Sequence, residues 1–339
     1  MATEYGNYVN GIWTESGSGE TFDVINPANT EDVVGKFQKS TTEDVENAIE
    51  AAVNTQDEWA NTPSPERGAV LKEAGQVLEA RKEEATKTLV REEGKTRSEA
   101  AGEVQRAIDI FAYYGQKARD LGGVVKSASG RNKDLYTKYE PLGTVGIITP
   151  WNYPIAIPAW KIAPALAAGN TLVAKPASQA PNSARIIFNA LEEAGLPDGV
   201  ANYVTGPGSE VGDPLTSHQN IDGISFTGST AVGTAVAHSA SENLIRCQCE
   251  MGGKNPTVVM PSANIDDAVE ILGVGAFGTT GQSCTAASRA IVHEQVYDEF
   301  VEAMVEYADN LEVGPGLDDP DMGPHVSEGE LESTLEYVE

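Results

Sequence analysis

The sequence predicts an α/β protein built on a doubly wound parallel sheet, and three observations lead there. From Pro141 onward, short apolar runs rich in β-branched residues alternate with helical segments at βαβ spacing. Ahead of them, residues 41–119 keep the apolar period of amphipathic helices. After Gly253 a second strand–helix alternation begins, which marks a further α/β unit.

Taken in order, Thr41 and Asp44 have capping-box spacing, and Val45, Ala48, Ile49, Ala52 and Val53 keep one apolar face. Ser64-Pro65-Glu66 starts a second helix, with Ser at the cap, that runs to about Gly94. A third, near Ser98 to Arg119, carries Ile108, Phe111 and Tyr114. In Gly122 to Glu140, Val124-Val125 and Leu135-Tyr136-Thr137 flank a polar turn and read as a projecting β-hairpin. Strands then follow at Val145–Thr149, Thr171–Lys175, Ala201–Thr205, Gly223–Thr227 and Leu244–Glu250. Helices at Ile155–Ala168, Pro181–Ala194, Ser209–Thr216 and Ala231–Ala240 separate them. The later unit reads as strand Pro256–Met260, a helix from Ile265, strand Ala287–His293 and a helix from Val296.

Composition narrows the function classes. Three cysteines in 339 residues exclude a disulfide scaffold and point to a reducing compartment. The four histidines have no metal-ligand spacing, so no metal site is expected. Lys161 interrupts the longest apolar run, and the N-terminus lacks a signal-peptide pattern, so a soluble cytoplasmic protein is expected. Acidic residues number 51 against 23 basic, a formal charge of −28. Such a surface repels nucleic-acid phosphates and anionic membranes, which excludes both as partners. It suits a high-salt cytoplasm, where ions screen the self-repulsion; an ordinary acidic mesophilic protein is the other reading.

Three strand-end segments carry chemistry. In Thr149-Pro150-Trp151-Asn152-Tyr153-Pro154, two prolines fix the turn around one carboxamide. Asn152 could therefore stabilise an oxyanion, or simply bond its own turn. Glu250 leaves an apolar strand for Met251-Gly252-Gly253 and is either a general base with a desolvated carboxylate or a surface strand-end glutamate. Cys284, in Gly281-Gln282-Ser283-Cys284-Thr285, is either a nucleophile or a buried structural thiol. Cys247 and Cys249 read as packing residues of the strand before Glu250.

Together the three segments resemble the aldehyde dehydrogenase superfamily. Pro-Trp-Asn-Tyr-Pro, Phe226-Thr-Gly-Ser-Thr, Glu250-Met-Gly-Gly-Lys-Asn-Pro and Gly281-Gln-Ser-Cys284 stand in that family's order and near its spacing. The resemblance implies a Rossmann-type cofactor domain (1–121 and 141–251), an oligomerisation hairpin (122–140) and an α/β catalytic domain (252–339). It implies that Cys284 attacks the aldehyde, that Asn152 and the Cys284 N–H hold the oxyanion, and that Glu250 activates the hydrolytic water. Lys161 matches a family lysine near this site, although a helix-surface charge is an equal reading.

For the cofactor, the resemblance points to Trp151, Asn152, Lys175, Ser178, Gly228, Ser229 and Met251. Gly228 and Ser229 open a helix whose N-terminus suits a pyrophosphate. Gly206-Pro-Gly208-Ser-Glu-Val-Gly212 corresponds to a loop near the adenine. NAD-preferring relatives usually carry Glu where Ser178 stands; Ser178 and Lys175 suit a 2′-phosphate instead, so NADP is expected, with NAD also accepted.

The flank Gly281–Arg289, with Lys175-Pro-Ala-Ser178, looks most like the α-ketoglutaric semialdehyde (2,5-dioxopentanoate) dehydrogenases of pentose degradation, some from salt-loving archaea. Succinate semialdehyde dehydrogenases come next, and non-phosphorylating glyceraldehyde-3-phosphate dehydrogenases third. The substrate would be a small anionic aldehyde, and the complete protein a homodimer or homotetramer. Members of the family continue for about another domain's worth of residues. Their Glu-Ile-Phe-Gly-Pro segment is not found in Met1–Glu339, so the catalytic domain is expected to be incomplete. Two other classes stay open: a nucleotide-binding module without turnover, and a cysteine hydrolase pairing Cys284 with a histidine such as His293.

Overall fold

Strands open the chain. β1 (Glu4–Tyr5), β2 (Asn7–Val9), β3 (Ile12–Thr14), β4 (Thr21–Asn26) and β5 (Asn29–Gln38) precede the first helix in the computed structural model, which describes residues 2–338. Sequence reading found no element here, because these strands are mostly short and their apolar alternation is weak. One signal was present: Asn10-Gly11 joins β2 to β3 with φ +52 and +78, the left-handed pair of a two-residue hairpin.

α1 (Thr42–Asn61) begins as expected, with the Thr41 hydroxyl accepting from the Asp44 N–H and the Asp44 carboxylate accepting from the Thr41 N–H. The single helix expected from Ser64 to Gly94 is two. α2 (Ser64–Ala80) starts after Pro63, so Ser64 is the first helical residue and not the cap, and the chain breaks at Arg81 (φ −104, ψ 13) before α3 (Lys82–Glu93). Leu78 on one side of the break and Ala85 and Leu89 on the other bury in the same core. Gly94, at φ +98, ends α3 as expected. α4 (Arg97–Lys117) has a second capping box, Thr96 with Glu99. β6 (Val125–Ser127) and β7 (Asp134–Tyr136) form the expected antiparallel hairpin, with every residue exposed.

The expected alternation follows: β8 (Thr144–Ile148), α5 (Ala156–Ala167), β9 (Thr171–Lys175), α6 (Pro181–Glu193), β10 (Ala201–Tyr203), a wide turn at Gly208–Gly212 into α7 (Asp213–Ser217), β11 (Gly223–Gly228), α8 (Thr230–Glu242) and β12 (Arg246–Met251). The sheet order is β12-β11-β8-β9-β10-β2-β3, parallel as far as β10 and closed by the antiparallel N-terminal hairpin. Side chains alternate between two cores. Leu172 and Ala174 face the core shared with α2 through α6, whereas Val173, Ile224 and Phe226 face the core of α1, α7 and α8. That is a doubly wound sheet.

β13 (Asn255–Val259), α9 (Ile265–Phe277), β14 (Ala287–Val292) and α10 (Tyr297–Asp309) build the second unit around Val259, Leu272 and Phe300. Its two strands are parallel. α11 (Glu328–Val338) comes last and buries none of its described side chains. Among the described residues no helix is long and apolar enough to cross a membrane. Nor do three or more His, Cys, Asp or Glu residues there group to hold a metal ion.

Candidate active site

Chain order runs β8-β9-β10 in one direction across the sheet, then returns to β11 and β12 on the other side of β8. The crevice at the carboxyl ends of β8 and β11 is therefore the switch point where such sheets bind ligands. Asn152 lies in the turn after β8. Its Nδ2 donates to the Gln282 carbonyl at 2.8 Å, two residues before Cys284, while its Oδ1 is buried without a partner.

The turn is held from below by charge. Lys95 Nζ donates to the Asn152 carbonyl at 2.8 Å and to Glu103 at 2.6 Å, and sits 4.4 Å from the centre of the Tyr153 ring. The other Glu103 oxygen accepts the N–H groups of Ile155 (2.9 Å) and Ala156 (3.0 Å), which open α5. Burial opposes the Lys95 charge, but Glu103 and Glu93 outweigh it and raise its pKa above the ordinary value. Burial also pushes Glu93 up to about 8. Sequence reading missed Lys95 and Glu103, since a buried ion pair looks in sequence like any pair of helix-surface charges.

The segment leading to Cys284 is strained. Thr279 (φ 53), Thr280 (φ 57) and Gly281 (φ 68) are successive left-handed residues, and two of them are β-branched. Two contacts hold them, the Thr279 N–H on Glu99 (2.6 Å) and the Thr280 hydroxyl on the Gly323 carbonyl (2.9 Å), and the Val326 N–H on the Gln282 side chain (3.0 Å) fixes the next residue. Cys284 itself is exposed, not a buried structural thiol. Glu250, opposite Thr227 in the β11–β12 register, accepts from Gln248 at 3.2 Å. The desolvation expected at Glu250 is not found, because its strand is an edge and the side chain is exposed.

One cavity of about 630 Å³ brings together Trp151, Asn152, Gly228, Ser229, Glu250, Met251 and Cys284. Gly228 has no room for a side chain, since a Cβ there would stand 2.6 Å from the Phe226 ring. Ser229 caps α8, its hydroxyl accepting from the Val232 N–H at 3.3 Å. Thr227 Oγ1, like Asn152 Oδ1, is buried at the cavity wall without a partner. Unspent polar atoms beside a helix N-terminus fit a dinucleotide phosphate and its carboxamide end.

Lys175 and Ser178 do not line this cavity. They form a second cluster at the carboxyl end of β9, where Lys175 donates to the Pro176 carbonyl (3.0 Å) and Ser178 to the Gly206 carbonyl (3.3 Å). Burial lowers the Lys175 pKa to about 8. Both clusters lie along the same edge of the sheet.

Other expectations change. Lys161 is no helix-surface charge: it is buried and donates to Ser225 (2.7 Å) and the Phe226 carbonyl (3.3 Å), outside the cavity. Cys247 is exposed rather than packed, because β12 is an edge strand; Cys249 is half-buried against the core. His293 is not at the cavity, and its Nδ1 accepts from the Gln295 N–H at 3.2 Å. His325 is there instead, its Nδ1 buried without a partner and its pKa lowered by burial. No local pattern announces it, since it arrives from a loop distant in sequence.

Comparison with known proteins agrees with this geometry. The pattern of the aldehyde dehydrogenase family matches residues 13–339. The chain is 60% identical over 333 residues to the α-ketoglutarate semialdehyde dehydrogenase of Haloferax volcanii, covering 98% of this chain and 69% of that one. It is 45% identical to the 2,5-dioxopentanoate dehydrogenase of Saccharolobus solfataricus, covering 95% of this chain and 68% of the relative. Among solved structures, betaine aldehyde dehydrogenase from Staphylococcus aureus in complex with NAD+ superposes with a TM-score of 0.96 at 33% identity, over 98% of this chain and 66% of that one. The strand-end segments, the cavity that joins them and these likenesses agree: the chain belongs to the aldehyde dehydrogenase family.

Proposed function

We propose that the protein oxidises α-ketoglutaric semialdehyde to 2-oxoglutarate with NADP, through a thiohemiacetal and a thioester on Cys284. The observation that carries this reading is the cavity shared by Cys284, Glu250 and Asn152. The Cys284 thiol gives up its proton to solvent, its sulfur forms a bond to the aldehyde carbon, and the carbonyl electron pair moves to oxygen. Asn152 Nδ2 has two protons; one is spent on Gln282, and the other, with the Cys284 N–H, is free for the oxyanion. A bound nicotinamide dinucleotide supplies the hydride acceptor. Glu250, exposed at the cavity rim, takes a proton from the water that attacks the thioester, and the acid leaves as the thiol re-forms.

For the cofactor, Gly228, Ser229 and the N-terminus of α8 would hold the pyrophosphate, with Trp151 and Met251 at the nicotinamide end. Lys175 and Ser178 would meet the adenosine 2′-phosphate. The substrate assignment is supported by the Gly281–Arg289 flank and by the two relatives described above; succinate semialdehyde is the second choice. Residues 1–121 and 141–251 would form the cofactor domain and 252–339 the catalytic domain, with the 122–140 hairpin joining copies into a dimer or tetramer in the cytoplasm.

The test follows reduced-nicotinamide absorbance in molar KCl with 2,5-dioxopentanoate, succinate semialdehyde and a neutral aldehyde, each with NADP and NAD. Turnover that is greatest with 2,5-dioxopentanoate and vanishes in Cys284→Ala is the expected result. Turnover that survives in Cys284→Ala would sink the assignment. If NADP raises the melting temperature without any turnover, the chain is a nucleotide-binding module.

A further inference from the structure

On β12, Cys247 and Cys249 alternate with Arg246, Gln248 and Glu250, so both thiols lie on one face of the strand. Their sulfurs stand 3.4 Å apart, and Cys249 Sγ is 3.5 Å from the Gly233 carbonyl of α8. Among the described residues β12 is the edge of the seven-stranded sheet and Cys247 is exposed. Neither thiol lines the cavity that holds Cys284, and neither has a step in the reaction above.

We propose that Cys247 and Cys249 form a two-thiolate binding site for a soft, thiophilic cation of the class of monovalent copper. Geometry sets two other uses of the pair aside. Residues i and i+2 of a strand are about 6.6 Å apart at Cα, near the upper limit for a disulfide, so that bond would be strained and readily reduced. Zinc takes about four ligands, and no group of three or more candidate ligands exists among the described residues. A soft monovalent ion prefers thiolates and is satisfied by two.

A cation set between the two sulfurs removes the mutual repulsion that keeps them from ionising together. Partial desolvation of its sulfur, together with the adjoining Cys249 thiol, pushes Cys247 up to about 12, since two sulfurs so close also resist ionising together. One monovalent cation replaces both thiol protons: two S–H bonds break, two S–metal bonds form, and two protons pass to solvent with no electron transferred. The unit carries one negative charge, and Lys161 lies near enough to both cysteines to offset it. The protein's charge of −28 draws cations toward the surface.

The experiment uses the Cys284→Ala chain, reduced and anaerobic, titrated with Cu(I) against a chromogenic Cu(I) chelator. One equivalent per chain is expected, with a sulfur-to-copper charge-transfer band. Adding either Cys247→Ser or Cys249→Ser should abolish it while circular dichroism stays unchanged. Retention of the equivalent in either serine variant overturns the proposal. So does absence of binding when a thiol reagent counts both cysteines as reduced. Because Cys284 is already replaced, neither outcome depends on the dehydrogenase reading.

Discussion

Ser178 is where a single carboxylate should change cofactor choice. It stands beside Lys175 at the end of β9, and the lysine is charged only below its pKa of about 8. Under the NADP reading, the kcat/KM advantage of NADP over NAD should shrink as pH rises through about 8. Ser178→Glu should reverse the preference, and equal ratios in both chains would refute the assignment. Glu93 sets a second pH dependence. Its carboxyl ordinarily titrates near 4.5, but buried it holds its proton to about 8. Between those values the folded state binds a proton that the unfolded state has lost, so this contribution is complete below 4.5 and disappears as pH rises through 8. Glu93→Gln should flatten the fall in melting temperature across that window; an unchanged slope would exclude Glu93 as its source. These residues also mark what was legible in the sequence. Asn152 and Glu250 stand out because prolines and glycines isolate them at strand ends, and Cys284 because it follows a glycine-rich turn ahead of β14. Lys95, Glu103 and His325 do not, because their significance is burial, which depends on segments far away in sequence.

At the scale of elements, regular patterns were readable and local punctuation less so. Every strand from β8 to β14 lies within a few residues of its expected place. β8 to β11 are buried parallel strands that read as dense apolar runs bounded by turns, while the more exposed β12, β13 and β14 were placed by their flanking turns and helices. The break at Arg81 was not readable: the α2–α3 segment has no Gly or Pro at the join, and the apolar period continues through it. The β6–β7 hairpin was readable and stands apart energetically. Val125 is 81% exposed and Tyr136 68%, so the hairpin contributes little buried area to this chain. Replacing Val124–Thr137 with a short Gly-Ser linker should therefore leave the melting temperature almost unchanged. If the hairpin joins copies, the same change should lower the mass seen by light scattering. A large loss of melting temperature would show that it packs more than its exposure indicates.

For the whole molecule, the governing quantity is the charge of −28. The Debye length falls from about 10 Å at 0.1 M salt to about 3 Å at 1 M, so self-repulsion between surface carboxylates should fade over that range. Molar KCl should raise the unfolding temperature, and a decrease would remove the high-salt reading. The sequence showed this charge but not how the sheet is closed. Tyr8 of β2 pairs with Tyr203 of β10, and Asn7 receives the Thr205 N–H across 198 residues of chain. At synthesis rates of about 5–20 residues per second, the N-terminal hairpin waits on the order of 10–40 s for its partner strand to emerge. It must stay soluble without a sheet during that interval, and it docks only after β8, β9 and β10 exist. The β2–β3 hairpin is thus seated only after three strands that lie far beyond it in the chain, and trimming it would leave the β10 edge open on an otherwise assembled sheet.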